Sequence, residues 1–102
     1  MKNQPHAAKL IAENNHVQIT GVLDFDTVIP LRTEGNRIIK SRDSVIFDFQ
    51  NTTCADSSAL ALLTAWVRYA DRLKKNIQFV HLPQQLIDVA AVSWLNKILP
   101  IT

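Results

Sequence analysis

Val45-Ile46-Phe47-Asp48-Phe49, then six residues, then Asp56-Ser57-Ser58-Ala59-Leu60-Ala61-Leu62-Leu63: these two pieces decide how the chain is read. In the first, Val45, Phe47 and Phe49 alternate with Ile46 and Asp48, the period-two pattern of a strand over residues 44–49. In the second, an acid and two hydroxyls stand directly ahead of an apolar run, which is the chemistry of a helix start. The residues between, Asn51-Thr52-Thr53-Cys54-Ala55, read as a short polar loop. A strand that hands over to a long helix is the repeating unit of an α/β domain. In open α/β sheets, ligands and partners meet the protein at that strand end.

Toward the N-terminus, residues 9–13 and 16–20 flank Asn14-Asn15. Asparagine tolerates the positive φ of a two-residue turn, so the segment is expected to form a hairpin. With that turn, Ala12 faces Val17 and Leu10 faces Ile19, which gathers the apolar residues on one face. Gly21-Val22-Leu23-Asp24-Phe25-Asp26 then leaves the second strand. Asp26 or Thr27 is expected to cap a helix running to about Ile39, with Pro30 in or near its first turn. Gly35 is a weak point in that helix, worth ~1 kcal/mol against alanine.

Toward the C-terminus, the long helix is expected to end near Lys75. Thr64, Arg68, Asp71, Arg72 and Lys75 fall on its polar side. Ala59, Leu62, Leu63, Trp66, Ala70 and Leu73 fall toward the sheet. Asn76 reads as its left-handed C-cap. Residues 77–82 form a further strand, Pro83 opens a helix from 84 to about 93, and residues 94–101 add a small final element. The predicted order is ββαβαβα. It describes one α/β domain over residues 1–102, with 1–7 flexible. Its sheet is mixed, four- to five-stranded, with an N-terminal antiparallel hairpin, later parallel strands and right-handed crossover helices.

Composition narrows the function. The 102 residues are 47% hydrophobic and 20% charged, the balance of a chain that buries a core. The net charge of +2 leaves no dense cationic stripe, so nucleic-acid binding gains no support. The single Cys54 excludes an internal disulfide framework and a cysteine-rich zinc site. No apolar stretch approaches the ~20 residues that span a bilayer, so a cytoplasmic chain without membrane insertion is expected.

The catalytic inventory is thin. Two glycines cannot make a phosphate loop. His6, His16 and His81 are far apart in sequence, and His16 and His81 read as solvated or locally bonded. Asp24 and Asp26 read as solvating and capping the first helix. No metal or other cofactor is expected. The concentrated polar feature is Thr52-Thr53-Cys54-Ala55-Asp56-Ser57-Ser58. It reads either as plain N-capping or as a site where unpaired N–H groups favour an anion, including a phosphoserine.

The strand ending in Asp48, the loop, and the Asp56-Ser57-Ser58 start of the helix resemble the centre of a STAS domain. That family includes bacterial anti-sigma-factor antagonists and the cytoplasmic tails of sulfate transporters. The resemblance covers about residues 8 to 101. More narrowly, the segment from Gly21 through Asp24, Asp26 and Pro30 to Leu31 resembles the small STAS subunits of Mla-type phospholipid ABC systems of Gram-negative bacteria, as does Leu99-Pro100. Ala59 stands where the family has glycine at the helix start, and Asn76 where it has glycine before the fourth strand.

The resemblance implies a binding module, not an enzyme. Its partner would be the ATPase subunit of an ABC transporter that maintains outer-membrane lipid asymmetry, and the chain would sit at the inner membrane through that partner. By position, Ser57 matches the residue after the aspartate in Mla-type subunits, and Ser58 the phosphorylated serine of the sigma-regulating branch. The expected partner-binding or regulatory residues are Thr53, Asp56, Ser57, Ser58, Leu60 and Trp94, with Leu60 and Val67 at the partly exposed edges of the core stripe. The alternative is an anti-sigma-factor antagonist controlled by serine phosphorylation. Homodimerisation of the isolated chain is left open.

Overall fold

A computed structural model describes residues 8–92 of the chain. The order is β1 (Ala8–Glu13), β2 (His16–Leu23), α1 (Phe25–Ser41), β3 (Ser44–Asp48), β4 (Thr52–Ala55), α2 (Ser58–Arg72), β5 (Asn76–Val80) and α3 (Gln84–Val92). The five strands make one mixed sheet. β1 pairs antiparallel with β2, β2 runs parallel to β3, and β3 runs parallel to β5. The hairpin register is the expected one, with Ala12 opposite Val17 and Leu10 opposite Ile19. Asn14 takes the positive φ, at 57°.

Within the expected polar loop at residues 51–55, Thr52–Ala55 form a strand, and only Asn51 stays in the turn before it. The chain bends after Asp48, where Thr52 N–H donates to the Phe49 carbonyl at 3.0 Å. β4 then continues along β2, pairing Gly21 with Thr52, Val22 with Cys54 and Leu23 with Ala55. One strand, β2, therefore carries β3 on its first half and β4 on its second. The register shifts between Gly21 and Val22, and Gly21 absorbs the shift with φ 100°, a conformation glycine reaches without steric cost.

The core lies between the sheet and helices α1 and α2. Val17, Ile19, Val45, Phe47, Ile77 and Phe79 alternate into it from the strands. Leu31 and Ile39 enter from α1, and Leu62, Leu63 and Trp66 from α2. Trp66 is fully buried and stacks on Phe47, centroids 4.2 Å apart and 6° from parallel. Gly35 is buried where α1 crosses this indole, and a Cβ there would fall inside contact distance of Trp66 Cε2, Cζ2 and Nε1. The glycine that reads as a helix weakness is thus a point of close approach between α1 and the Trp66 indole of α2.

Helix ends differ from expectation in informative ways. Asp24 caps α1, the role read for it together with Asp26, and neither Asp26 nor Thr27 is the N-cap: the Asp24 carboxylate accepts from the N–H groups of Asp26 at 2.9 Å and Thr27 at 3.1 Å. The Thr27 hydroxyl completes a capping box on Asp24 N–H at 2.9 Å. Pro30 consequently lies inside the helix. α2 ends at Arg72 rather than near Lys75, and Lys74, not Asn76, takes the left-handed conformation, with φ 59°. The paired bonds from Lys75 N–H to the Ala70 carbonyl and from Lys74 N–H to the Asp71 carbonyl make a Schellman end. Asn76 is thereby freed to begin β5. No described helix is long and apolar enough to cross a membrane.

Candidate functional site

Parallel pairing of β2 with β4 brings Leu23 beside Ala55, so the helices that follow start next to each other. α1 begins at Phe25 and α2 at Ser58. Asp56 N–H donates to the Leu23 carbonyl at 3.1 Å, tying the two helix starts together. This is the C-terminal edge of the parallel part of the sheet, where α/β proteins place their sites.

Each helix start carries its own anion. Asp24 caps α1 as described. At α2, Asp56 Oδ1 accepts from Ser58 N–H at 2.8 Å and also receives the Ser58 hydroxyl. The positive helix ends are therefore compensated by internal carboxylates, which weakens the case for an external anion there. Ser57 occupies the N-cap position in helical conformation and makes no side-chain cap bond. Asp56, Ser57 and Thr53 are exposed, and Ser58 is half-buried.

Leu60 does not sit at an exposed edge. It is 5% accessible, because α1 packs across that side of α2. Val67 is half-buried and packs against the core. Trp94 and Leu99-Pro100 lie outside the described residues, as does the N-terminal stretch expected to be flexible.

Two residues that the sequence alone does not single out dominate the surface here. Phe25 is 71% and Ile29 62% exposed, among the few large apolar side chains left in water. They stand one helical turn apart on α1 and form one ridge. A signal for them exists in the sequence: α1 turns Thr27, Leu31, Gly35 and Ile39 into the core, and residues 25 and 29 fall off that stripe. A cap at Asp26 or Thr27 would leave Phe25 outside the helix and hide it. Between this ridge and α2 lies a pocket of about 180 Å³ lined by Phe25, Val28, Ile29, Ser58, Ala61 and Leu62, with Arg32 at its side. An apolar ridge beside a small pocket whose wall includes the half-buried Ser58 suits the anchoring of another polypeptide.

The histidines serve elsewhere. His16 Nε2 lies 3.0 Å from Asp48 Oδ2 and His81 Nδ1 lies 2.9 Å from Asp48 Oδ1. Gln50 N–H also donates to Oδ1, at 2.9 Å. Burial raises the Asp48 pKa, but the hydrogen bonds from Gln50, His81 and His16 outweigh it and hold the carboxyl below its ordinary value. The cluster pins the bend between β3 and β4. Both histidines are partnered by Asp48, so neither stands as a base against Ser57 or Ser58. Among the described residues no group of His, Cys, Asp and Glu side chains is arranged to hold a metal ion.

Comparison with known proteins places this geometry. A family model described as Mlab, STAS domain, matches residues 7–100. No curated protein sequence matches. Among solved structures, a chain of the Acinetobacter MlaFEDB complex in its ATP-bound Vtrans2 conformation superposes with a TM-score of 0.76 at 23% identity, covering 87% of this chain and 95% of that one. The unphosphorylated anti-sigma factor antagonist SpoIIAA superposes with a TM-score of 0.72 at 19% identity, covering 93% and 85%. An anti-sigma factor antagonist from Mycobacterium paratuberculosis gives 0.75 at 15% identity, covering 92% and 82%.

Proposed function

The chain belongs to the STAS-domain family described as Mlab, and on that premise we propose that it is a non-catalytic subunit that binds and regulates the ATPase of a Mla-type phospholipid ABC transporter. The carrying observation is the exposed Phe25–Ile29 ridge on the pocket that it shares with Ser58, the first residue of α2. Fully burying two such side chains contributes about 1.5–3 kcal/mol each, enough to anchor a specific interface when the polar rim is satisfied. The superposition on a chain of an assembled transporter complex supports the same choice of partner. In this reading Thr53, Asp56, Ser57 and Ser58 form the polar rim, and Leu60 supports the surface from beneath. The chain reaches the inner membrane through its partner.

Co-purification with the Mla-type ATPase of the same organism tests the assignment. A stoichiometric complex with altered ATPase stability or turnover is expected. Separate elution together with unchanged turnover would refute it.

The second reading, an anti-sigma-factor antagonist switched at Ser58, is favoured by the position of that serine as the first residue of α2 and by the SpoIIAA superposition. Against it, a phosphate on Ser58 would break the bond to Asp56 and set two like charges together. Intact mass after incubation with a cognate kinase and ATP separates the two: an added phosphate supports the switch, and an unmodified chain rejects it.

A further inference from the structure

The groove between α1 and α2 continues beyond the apolar ridge. Past Arg32 and Ala61 it widens into a trough of about 820 Å³, bordered by Arg32 and Asn36 of α1 and by Thr64, Arg68, Tyr69 and Arg72 of α2. Among the described residues no carboxylate lines it. The ion pairs among the described residues gather on Asp48 and Asp43 instead, and none includes these three arginines. Arg68 and Arg72 stand one turn apart, a spacing at which like charges repel, and the Arg72 guanidinium lies 5.6 Å from the centre of the Tyr69 ring.

Three cations without a counter-charge among the described residues describe an occupant that brings carboxylates. The trough also shares Arg32 and Ala61 with the small apolar pocket at Phe25 and Ile29, so the occupant is continuous with one that offers an apolar side chain. A free phosphate supplies no apolar group. We propose that the α1–α2 trough receives an acidic segment of the docked partner polypeptide, its carboxylates paired with Arg32, Arg68 and Arg72. The identity of the partner rests on the docking reading above; the chemistry of the trough does not.

The test compares the wild-type chain with Arg68→Glu/Arg72→Glu, two exposed positions, for affinity to the Mla-type ATPase at 50, 150 and 500 mM NaCl. Charge reversal is expected to weaken binding about tenfold or more at 150 mM, with the difference shrinking at 500 mM. Equal affinities at all three salt concentrations would overturn the proposal. If the wild-type chain does not bind the ATPase, the docking reading alone has failed. The trough is then read by ¹⁵N NMR titration with an amphipathic helical peptide carrying leucines and one-turn-spaced glutamates. Saturable shifts at Asn36, Thr64, Arg68 and Tyr69, abolished by the double reversal, support it. An absence of shifts, or the same shifts from inorganic phosphate or phosphatidylglycerol vesicles at equal ionic strength, overturns it.

Discussion

Replacing Gly35 with alanine should destabilise this protein, although it puts a better helix former into the middle of a helix. In an exposed helix the change would gain ~1 kcal/mol. Here the new methyl would fall inside contact distance of three indole atoms of Trp66. The indole has nowhere to go: it is fully buried, stacked on Phe47 at 4.2 Å, and its Nε1–H donates to the Arg32 carbonyl at 3.3 Å. Overpacking a rigid site typically costs ~1–3 kcal/mol, and a locked aromatic ring puts this site at the upper end. The net loss is about 2 kcal/mol, or roughly 10 °C in Tm for a domain of this length. Thermal and denaturant unfolding followed by circular dichroism measures it. Because α1 and α2 must separate to make room, the groove that carries the proposed site should widen and ATPase affinity should fall with stability. A variant as stable as wild type, or more stable, would show that helix propensity outweighs the close approach and that Gly35 is not its cause.

Two further outcomes follow from local geometry. Lys74 holds φ 59° at the end of α2, a conformation that costs an L-residue ~1 kcal/mol or more, so Lys74→Gly should raise stability by about 0.5–1 kcal/mol in urea unfolding; a loss would mean the lysine side chain matters more than its backbone. Asp48 binds its proton more weakly folded than unfolded, so its stabilisation is complete above about pH 4 and is lost as pH falls through the lower folded value. Asp48→Asn should therefore be less stable at neutral pH and should flatten the acid limb of the stability profile, and an unchanged acid limb would refute the role given to the carboxylate.

The fold is legible in the sequence because its strongest signals are local. The alternation through Val45, Phe47 and Phe49 and the Asn14-Asn15 turn each specify an element with its register. What escapes is tertiary. β4 hides in Thr52-Thr53-Cys54-Ala55 because its pairing depends on β2 extending beyond Gly21, which no local pattern announces; the β-branched Thr52 and Thr53 are its one cue. Lys74 takes the left-handed turn because the end of α2 is fixed by Ala70 and Asp71 accepting its last N–H groups, not by which residue tolerates positive φ best.

The candidate site is half visible. Asp56, Ser57 and Ser58 stand out as a motif, and they do open α2. The exposure of Phe25 and Ile29 is missed because a cap read at Asp26 or Thr27 leaves Phe25 outside α1, whereas the cap at Asp24 puts both residues on the helix and off its buried stripe. The expected exposure of Leu60 fails for the same reason, since a neighbouring helix covers it. His16, Asp48 and His81 are scattered along the chain, and only the sheet brings them together.

Binding of the Mla-type ATPase by Ile29→Glu, measured by isothermal titration calorimetry beside the wild-type chain, tests the docking surface most directly. Ile29 is 62% exposed, so the variant should keep its fold and its Tm. Affinity is expected to fall at least thirtyfold, the ~2 kcal/mol of a lost apolar anchor. Wild-type affinity in a folded Ile29→Glu protein would contradict the assignment of the α1–α2 entrance as the place where the partner docks.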